Sequence, residues 1–520
     1  MDFKYVHISK MTELNDDSTT GRLNSENKDV QKKTTSKKKT SNLATLLHLI
    51  KANIGPGILA LPHAIGNAGL VVGTVGLILL GLICIYCMHV VVSCSTILAN
   101  KLYEEKREKK LQKNDVADTE RKYSYVIQDY FLKKDIQIRE GDSNRQTDDS
   151  NSLDYASTCE LAFRFGPTRF RKFAPLMRFS VNAMLALTQL GFCCVYFLFI
   201  AESLHEVFSH LNILPHLSIF HITVLELPFM VLLVLVPDLS RLTSVTTVAI
   251  VLQAAGLAAM FFFFLSDGRS DTVEPYMAPF AKWPLYFGTA MYAFEGIGVV
   301  LPLENAMKHK KNFRGWTGVL NVGMCIVAFV MTAVAVCGYL KYGAQTQPSI
   351  TFNLPSGWFS ELIRLMFTLA VLLTYPLQMY VPLTFTLPYL KKKLVRTHHG
   401  KWAKFAIDSL IRTSFVLLTF AIASAVPMLD LIISFIGAFA SSGLALILPP
   451  IIQILTIWEL DIRNKKLIIA LATSICIFGM FGLLLGSGTS VYEMWKGFSH
   501  KNTTTHSISE MVNITSEVFS

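Results

Sequence analysis

Ala52-Asn53-Ile54-Gly55-Pro56-Gly57-Ile58-Leu59-Ala60-Leu61-Pro62 lies inside the first long apolar segment of the chain, and its reading decides the rest. A helix that crosses lipid must satisfy its own backbone, because hydrocarbon offers no partner for a free N–H or C=O. Pro56 removes one donor and clashes with the preceding turn, while the glycines on either side favour no single conformation. The stretch therefore predicts a helix broken in mid-membrane. A related punctuation returns in the sixth apolar segment, Ala293-Phe294-Glu295-Gly296-Ile297-Gly298-Val299-Val300-Leu301-Pro302, again a Gly-x-Gly followed closely by proline. Two interrupted segments, one in each half, point to a transport site.

The surrounding composition agrees with a membrane setting. Of 520 residues, 52% are hydrophobic and only 16% charged, and the mean hydropathy is positive. That excludes an ordinary soluble domain and predicts an all-α integral membrane protein. Apolar segments fall at 43–66, 68–98, 174–201, 216–236, 243–266, 281–303, 315–340, 361–389, 402–427, 429–456 and 466–487. Each is near or above the length that crosses about 30 Å of hydrocarbon, giving eleven expected spans. The expected organisation is a disordered basic tail (1–42), two spans (43–98), a cytoplasmic loop or insertion (99–173), nine further spans (174–487) and an outer tail (488–520). The first forty residues are polar and basic, so the first span, and no cleavable leader, is the expected insertion signal.

Orientation follows from the basic residues. With a cytoplasmic amino terminus the inner segments carry 37 Lys and Arg and the outer ones 4, the asymmetry of the positive-inside rule. The net charge of +11 is thereby explained by topology, and nucleic acid is not an expected partner. An odd number of spans places the carboxyl tail outside. That tail holds the sequons at Asn502 and Asn513, which accept glycans only on the lumenal side.

Breaking a helix inside protein frees N–H groups at the start of the following half-helix, and their partial positive charge attracts a carboxylate. Gly57 and Ile58 are the expected donors, beside Asn53 and Gly55, unless the glycines only allow close helix packing. Glu295 lies mid-membrane at the second break, where an ionised carboxylate is costly unless paired or facing water. It can carry a proton, pair with a substrate amine, or serve structurally by bonding freed backbone groups. His48, three residues before Lys51, fits either a proton relay or a side chain reaching for the interface. Glu304, beside Lys308, fits a helix cap or an inner gate, and Asp408 with Arg412 fits a structural pair four residues apart.

Enzyme signatures are missing: the chain has no Walker loop, no His-Glu-x-x-His and no kinase set, so neither catalysis nor ATP-driven transport is expected. The nine cysteines, nearly all in apolar segments, read as packing residues without zinc-like partners.

Several ordered strings match something known. His48-Leu49-Ile50-Lys51-Ala52-Asn53-Ile54-Gly55-Pro56-Gly57, Gln189-Leu190-Gly191-Phe192-Cys193-Cys194-Val195-Tyr196-Phe197, Phe287-Gly288-Thr289-Ala290, Phe294 to Asn305 and Leu444-Ala445-Leu446-Ile447-Leu448-Pro449-Pro450 resemble proton-coupled amino acid transporters of the amino acid/auxin permease superfamily. The resemblance spans roughly 43–487. It implies a LeuT-type fold, a five-plus-five inverted repeat with one added span and with helices 1 and 6 broken. It also implies uptake of small neutral amino acids coupled to protons at the plasma membrane or lysosome, without a cofactor. In relatives the histidine matching His48 is implicated in proton coupling. The substrate amine is expected to face carbonyls freed at the second break, near Phe294, Glu295, Gly296 and Gly298. Three positions depart from the pattern: Pro56 stands where many members have Thr, Tyr86 replaces a histidine, and the outer loops lack the cysteines of a loop disulfide. Two other readings fit the same residues, an amino-acid receptor with little flux and a sodium-coupled carrier using Thr368 and Thr374.

Overall fold

The structure, a computed structural model, describes residues 39–128, 152–212, 217–235, 239–266, 268, 270–394 and 401–518. Among them the named elements are helices: α1 Asn42–Asn53, α2 Gly57–Ala68, α3 Leu70–Gln128, α4 Tyr155–Arg164, α5 Ala174–His210, α6 Ile219–Leu235 and α7 Leu239–Leu265 in the first part. The second part holds α8 Trp283–Ala293, α9 Ile297–Ala306, α10 Val319–Tyr342, α11 Trp358–Leu394, α12 Lys401–Ala425, α13 Leu429–Ile457 and α14 Lys465–Val518. Among the described residues nine apolar helical stretches are long enough to cross a bilayer, α8 with α9 counting as one; α1 with α2 makes a tenth as a bent pair. The segment expected at 216–236 is the shorter helix α6, of 17 residues.

Both expected interruptions are present. α1 and α2 meet at 52° across Ile54, Gly55 and Pro56. α8 and α9 are separated by Phe294, Glu295 and Gly296 and bend less. Pro56 and Gly296 stand as the residues before α2 and α9, and neither start carries a side-chain cap.

The helices sort into two packed groups. The broken pairs lie together with α3 and α10, while α5, α6, α7, α11 and α12 form the second group, with α11 running along α5 and α7. α13 bridges the groups through α8 and α5. Its middle is π-helical, Gly437–Ser441 and Gly443–Ile447, and this wider winding goes with close approach. A β-carbon on Gly437 would stand 1.9 Å from the Gly288 carbonyl oxygen, so the α8–α13 seam admits only glycine there. α14 lies outside against α8 and α13, with most of its apolar surface turned away from protein.

The end carrying Thr40 and Met307, here called the basic end, holds two features that the apolar pattern alone did not resolve. Residues 99–128, expected as the start of a loop, continue α3. Residues 155–164 form α4, whose Tyr155, Ala156, Thr158, Cys159, Leu161, Ala162 and Phe163 are buried. Asp154 caps α4 through Ser157 N–H (2.7 Å), and the Tyr155 hydroxyl donates to the Leu444 carbonyl (2.7 Å). An amphipathic helix finds its apolar face a partner wherever the bundle offers a groove, and α4 uses α3, α5 and α13. Likewise, the residues expected as the start of the outer tail extend α14 to Val518. The tail expected at 1–42 lies, except for residues 39–42, outside the described residues, as do the side chains of Asn502 and Asn513.

Candidate functional site

The site is built where the two interruptions touch. At the first, Ile54 N–H closes onto Ile50 O (2.9 Å), Ile58 N–H onto Gly55 O (3.3 Å) and Leu59 N–H onto Pro56 O (3.0 Å). The N–H groups of Gly55 and Gly57 enter none of these bonds. Of the two expected donors, Ile58 is therefore already engaged and its side chain is buried in the core; Gly57 is the one left over. At the second, Phe294 N–H bonds Ala290 O (3.1 Å), Glu295 N–H bonds Tyr292 O (3.4 Å) and Val299 N–H bonds Gly296 O (3.2 Å). The carbonyls of Ala293, Phe294 and Glu295 close none of these turns.

The breaks are in direct contact. A β-carbon on Gly57 would lie 2.9 Å from Tyr292 Cδ1 and 3.2 Å from Ala293 Cα. One on Gly296 would lie 2.1 Å from Asn53 Oδ1. Between them is a cavity of about 30 Å3 lined by Asn53, Gly55, Gly57, Glu295, Phe192, Tyr196, Tyr292 and Gln378, with Ala52, Pro56 and Ala293 completing the wall. That volume holds a water but no amino acid. The rings of Phe192 and Tyr292 meet edge to face at 4.6 Å across it.

Three polar atoms on this wall have no hydrogen-bond partner among the described residues: Asn53 Oδ1, the Tyr292 hydroxyl and Glu295 Oε2. The Asn53 amide nitrogen is fixed, donating to Leu49 O at 2.9 Å, which orients Oδ1 as a free acceptor. Gln378 donates to the Tyr196 hydroxyl (3.1 Å), joining α11 to α5 behind the cavity. Ser441, in the π-helical part of α13, lies behind the wall and interacts with the Glu295 carboxyl. Buried polar atoms are normally paired, so several left open around one cavity mark a place built to receive a polar guest.

The other expected residues are distributed differently. The Phe294 ring points at α3, where a β-carbon on Gly81 would meet it at 3.1 Å. Gly298 faces Leu185 on α5. His48 lies on the exposed side of α1, outside the cavity wall. The sequence alone gives no site role to the wall residues Phe192, Tyr196, Tyr292 and Gln378, nor to Ser441. Tyr196 stands inside a matching string, and Gln378 is a polar side chain in an apolar span; Tyr292 and Ser441 give no such signal.

At the basic end polar contacts tie the helices together. Glu304, almost fully buried, pairs with Arg314 (2.6 and 2.9 Å) and not with the adjacent Lys308, and Arg314 also bonds Thr96 on α3. Thr40 N–H bonds Ala306 O (2.8 Å) and Lys308 N–H bonds Thr40 O (3.0 Å), pinning the residues before α1 to the end of α9. Asn305 donates to Leu153 O (3.0 Å) ahead of α4. The Thr368 and Thr374 hydroxyls both donate to carbonyls of their own helix. Asp408 and Arg412 pair as expected (3.0 Å), and Arg412 also reaches Val234 O (3.1 Å).

A membrane-embedded pocket set where two broken helices meet, lined by their interruptions and by polar side chains, defines the class: an integral membrane carrier. The chain belongs to the family described as transmembrane amino acid transporter protein, whose pattern matches residues 38–120 and 136–492. It is 30% identical over 462 residues to the proton-coupled amino acid transporter-like protein pathetic of Drosophila melanogaster, covering 89% of this chain and 87% of that one. It is 26% identical over 371 residues to the probable amino acid transporter skat-1 of Caenorhabditis elegans, covering 70% and 80%.

Proposed function

We propose that the protein is a proton-coupled symporter of small neutral amino acids. The observation that carries this reading is the contact between the two breaks, with three unpartnered polar atoms around one cavity. The substrate carboxylate rests on the N–H groups of Gly55 and Gly57 at the start of α2, where the helix dipole favours negative charge. The amine turns to the carbonyls of Ala293 to Glu295, with Asn53 Oδ1 and Glu295 as further acceptors. Because the cavity is smaller than any amino acid, binding requires the group of α1, α2, α3, α8, α9 and α10 to part from the second group. Phe192 and Tyr292 then close over a small side chain and exclude a large one.

Protons couple at His48 or Glu295, the one exposed on α1 and the other beside the pocket. In this reading the basic end faces the cytosol, the carboxyl tail faces outside or the lumen, and the membrane is that of the cell surface or the lysosome. The test is uptake of radiolabelled small neutral amino acids into proteoliposomes under an imposed pH gradient, with and without sodium. Uptake that follows the proton gradient is expected. Uptake that ignores it, or that needs sodium, removes the proton claim; specific binding without flux favours a receptor.

A further inference from the structure

Glu226 is the one carboxylate in the apolar helix α6, eight residues into its 17. It lies on the buried stripe Ile222, Thr223, Glu226, Met230 and Val234 and is only 5% exposed. Both of its oxygens lack a hydrogen-bond partner, and among the described residues no lysine, arginine or histidine pairs with it. It is not on the pocket wall: α6 packs chiefly against α5, α11 and α12, one layer behind Tyr196 and Gln378. A carboxylate buried without a partner is among the costliest groups a membrane interior can hold, and such residues mark ion or proton sites.

The groups facing it narrow the ligand. From α11 comes Tyr375, which interacts electrostatically with Glu226 and whose hydroxyl is bonded to Thr419 of α12 (2.9 Å). From α5 come Cys193 and Cys194, which face the same tyrosine. From α12 the charged pair Asp408–Arg412 meets α6 at Val234, about two turns away. A hard cation takes six or more oxygens, and here two hydroxyls already satisfy each other. A proton needs none. Thr223, one turn along the same stripe, and His221, bonded to Ser218 (2.7 Å) at the exposed start of α6, mark the side from which a proton arrives. The distance from that end to Glu226 is about 10 Å.

We propose that Glu226 is a second proton-binding site, set in the helix layer behind the pocket and occupied without contact to substrate. The neutral acid tolerates the apolar stripe. The ionised form must recruit a donor, and the Tyr375 hydroxyl can leave Thr419 to supply it, so proton binding changes how α6, α11 and α12 are tied together.

The experiment treats the full-length protein in liposomes with dicyclohexylcarbodiimide, which adds to protonated carboxyl groups in apolar surroundings, and maps the adduct by peptide mass across a pH series. An adduct at Glu226 whose yield falls about tenfold per pH unit on the alkaline side is expected. No adduct, or a yield that does not change with pH, overturns the proposal, the second result being that of a permanently neutral structural acid. In parallel, Glu226→Gln is expected to flatten the acid stimulation of uptake, and a profile identical to wild type also overturns it. Where the Gln variant does not fold, Glu226→Asp replaces it, and the wild-type labelling needs no variant. The labelling arm does not depend on symport: if wild-type uptake shows no acid stimulation, the coupled reading above fails and the labelling alone decides this one.

Discussion

The carboxamide of Asn53 lies so close over the backbone of Gly296 that a β-carbon there would sit 2.1 Å from Oδ1, 2.7 Å from Cγ and 2.8 Å from Nδ2. One residue ends the first half-helix of the first broken pair; the other opens the second half-helix of its counterpart. Their contact locks the two breaks into register and turns Asn53 Oδ1 toward the cavity.

Gly296→Ala should therefore push Asn53 aside or part the helices. Forcing a methyl into a packed site costs about 1–3 kcal/mol, and a cost of that size in the transporting state is about a fivefold to 150-fold loss of uptake. Transport by purified protein, with its elution profile unchanged, checks this; wild-type flux would contradict it.

Arg314→Ala should be more damaging than its distance from the pocket suggests. It leaves Glu304, 3% exposed, without its cation, and breaking one side of a buried pair costs about 3–5 kcal/mol. A lowered melting temperature is expected, with substantial recovery in the double variant Arg314→Ala, Glu304→Gln. Equal melting of the single and double variants would show that the pair is not the reason.

Gly437→Ala tests the α8–α13 seam. Its β-carbon would stand 1.9 Å from Gly288 O, a backbone atom that cannot rotate away. Poor folding is the expected result, measured as loss of monodisperse protein, whereas alanine at Gly55, where nothing lies within 4 Å of the added carbon, should leave folding intact.

The link between α3 and α4 supplies a pH-dependent effect. The hydrogen bond from Lys109, with Arg164 adding to it, lowers the Glu105 carboxyl below its ordinary value. A group depressed in the folded state stabilises above its unfolded pKa and loses that contribution as pH falls through the folded value. The pair is exposed, so the effect is a few tenths of a kcal/mol at most. Hydrogen exchange in residues 155–164 should rise in Glu105→Gln at neutral pH and converge with wild type in acid; a difference that persists in acid would contradict this.

Much of this was legible before any coordinates. Gly55-Pro56-Gly57 and Glu295-Gly296-Ile297-Gly298 interrupt their helices because proline lacks a donor and glycine lacks a β-carbon, and these are properties of the residues themselves. Apolar run length placed ten of the eleven expected spans for the same reason, the eleventh being the shorter helix α6. By contrast, α4 looked like part of a polar loop, since a ten-residue amphipathic helix shows its purpose only beside the groove it fills.

Sequence by itself determined where the chain breaks and that it lives in lipid, because backbone hydrogen bonding and hydrocarbon solubility are local. Tertiary structure alone decided which side chains share the cavity: Tyr196, Tyr292 and Gln378 line it, with Ser441 behind Glu295; Phe294, Gly298 and His48 turn away; and Glu304 takes Arg314 over Lys308. Helix rotation about its own axis settles such choices, and that rotation is fixed by close packing between helices distant in sequence, such as Asn53 on Gly296 and Gly437 on Gly288.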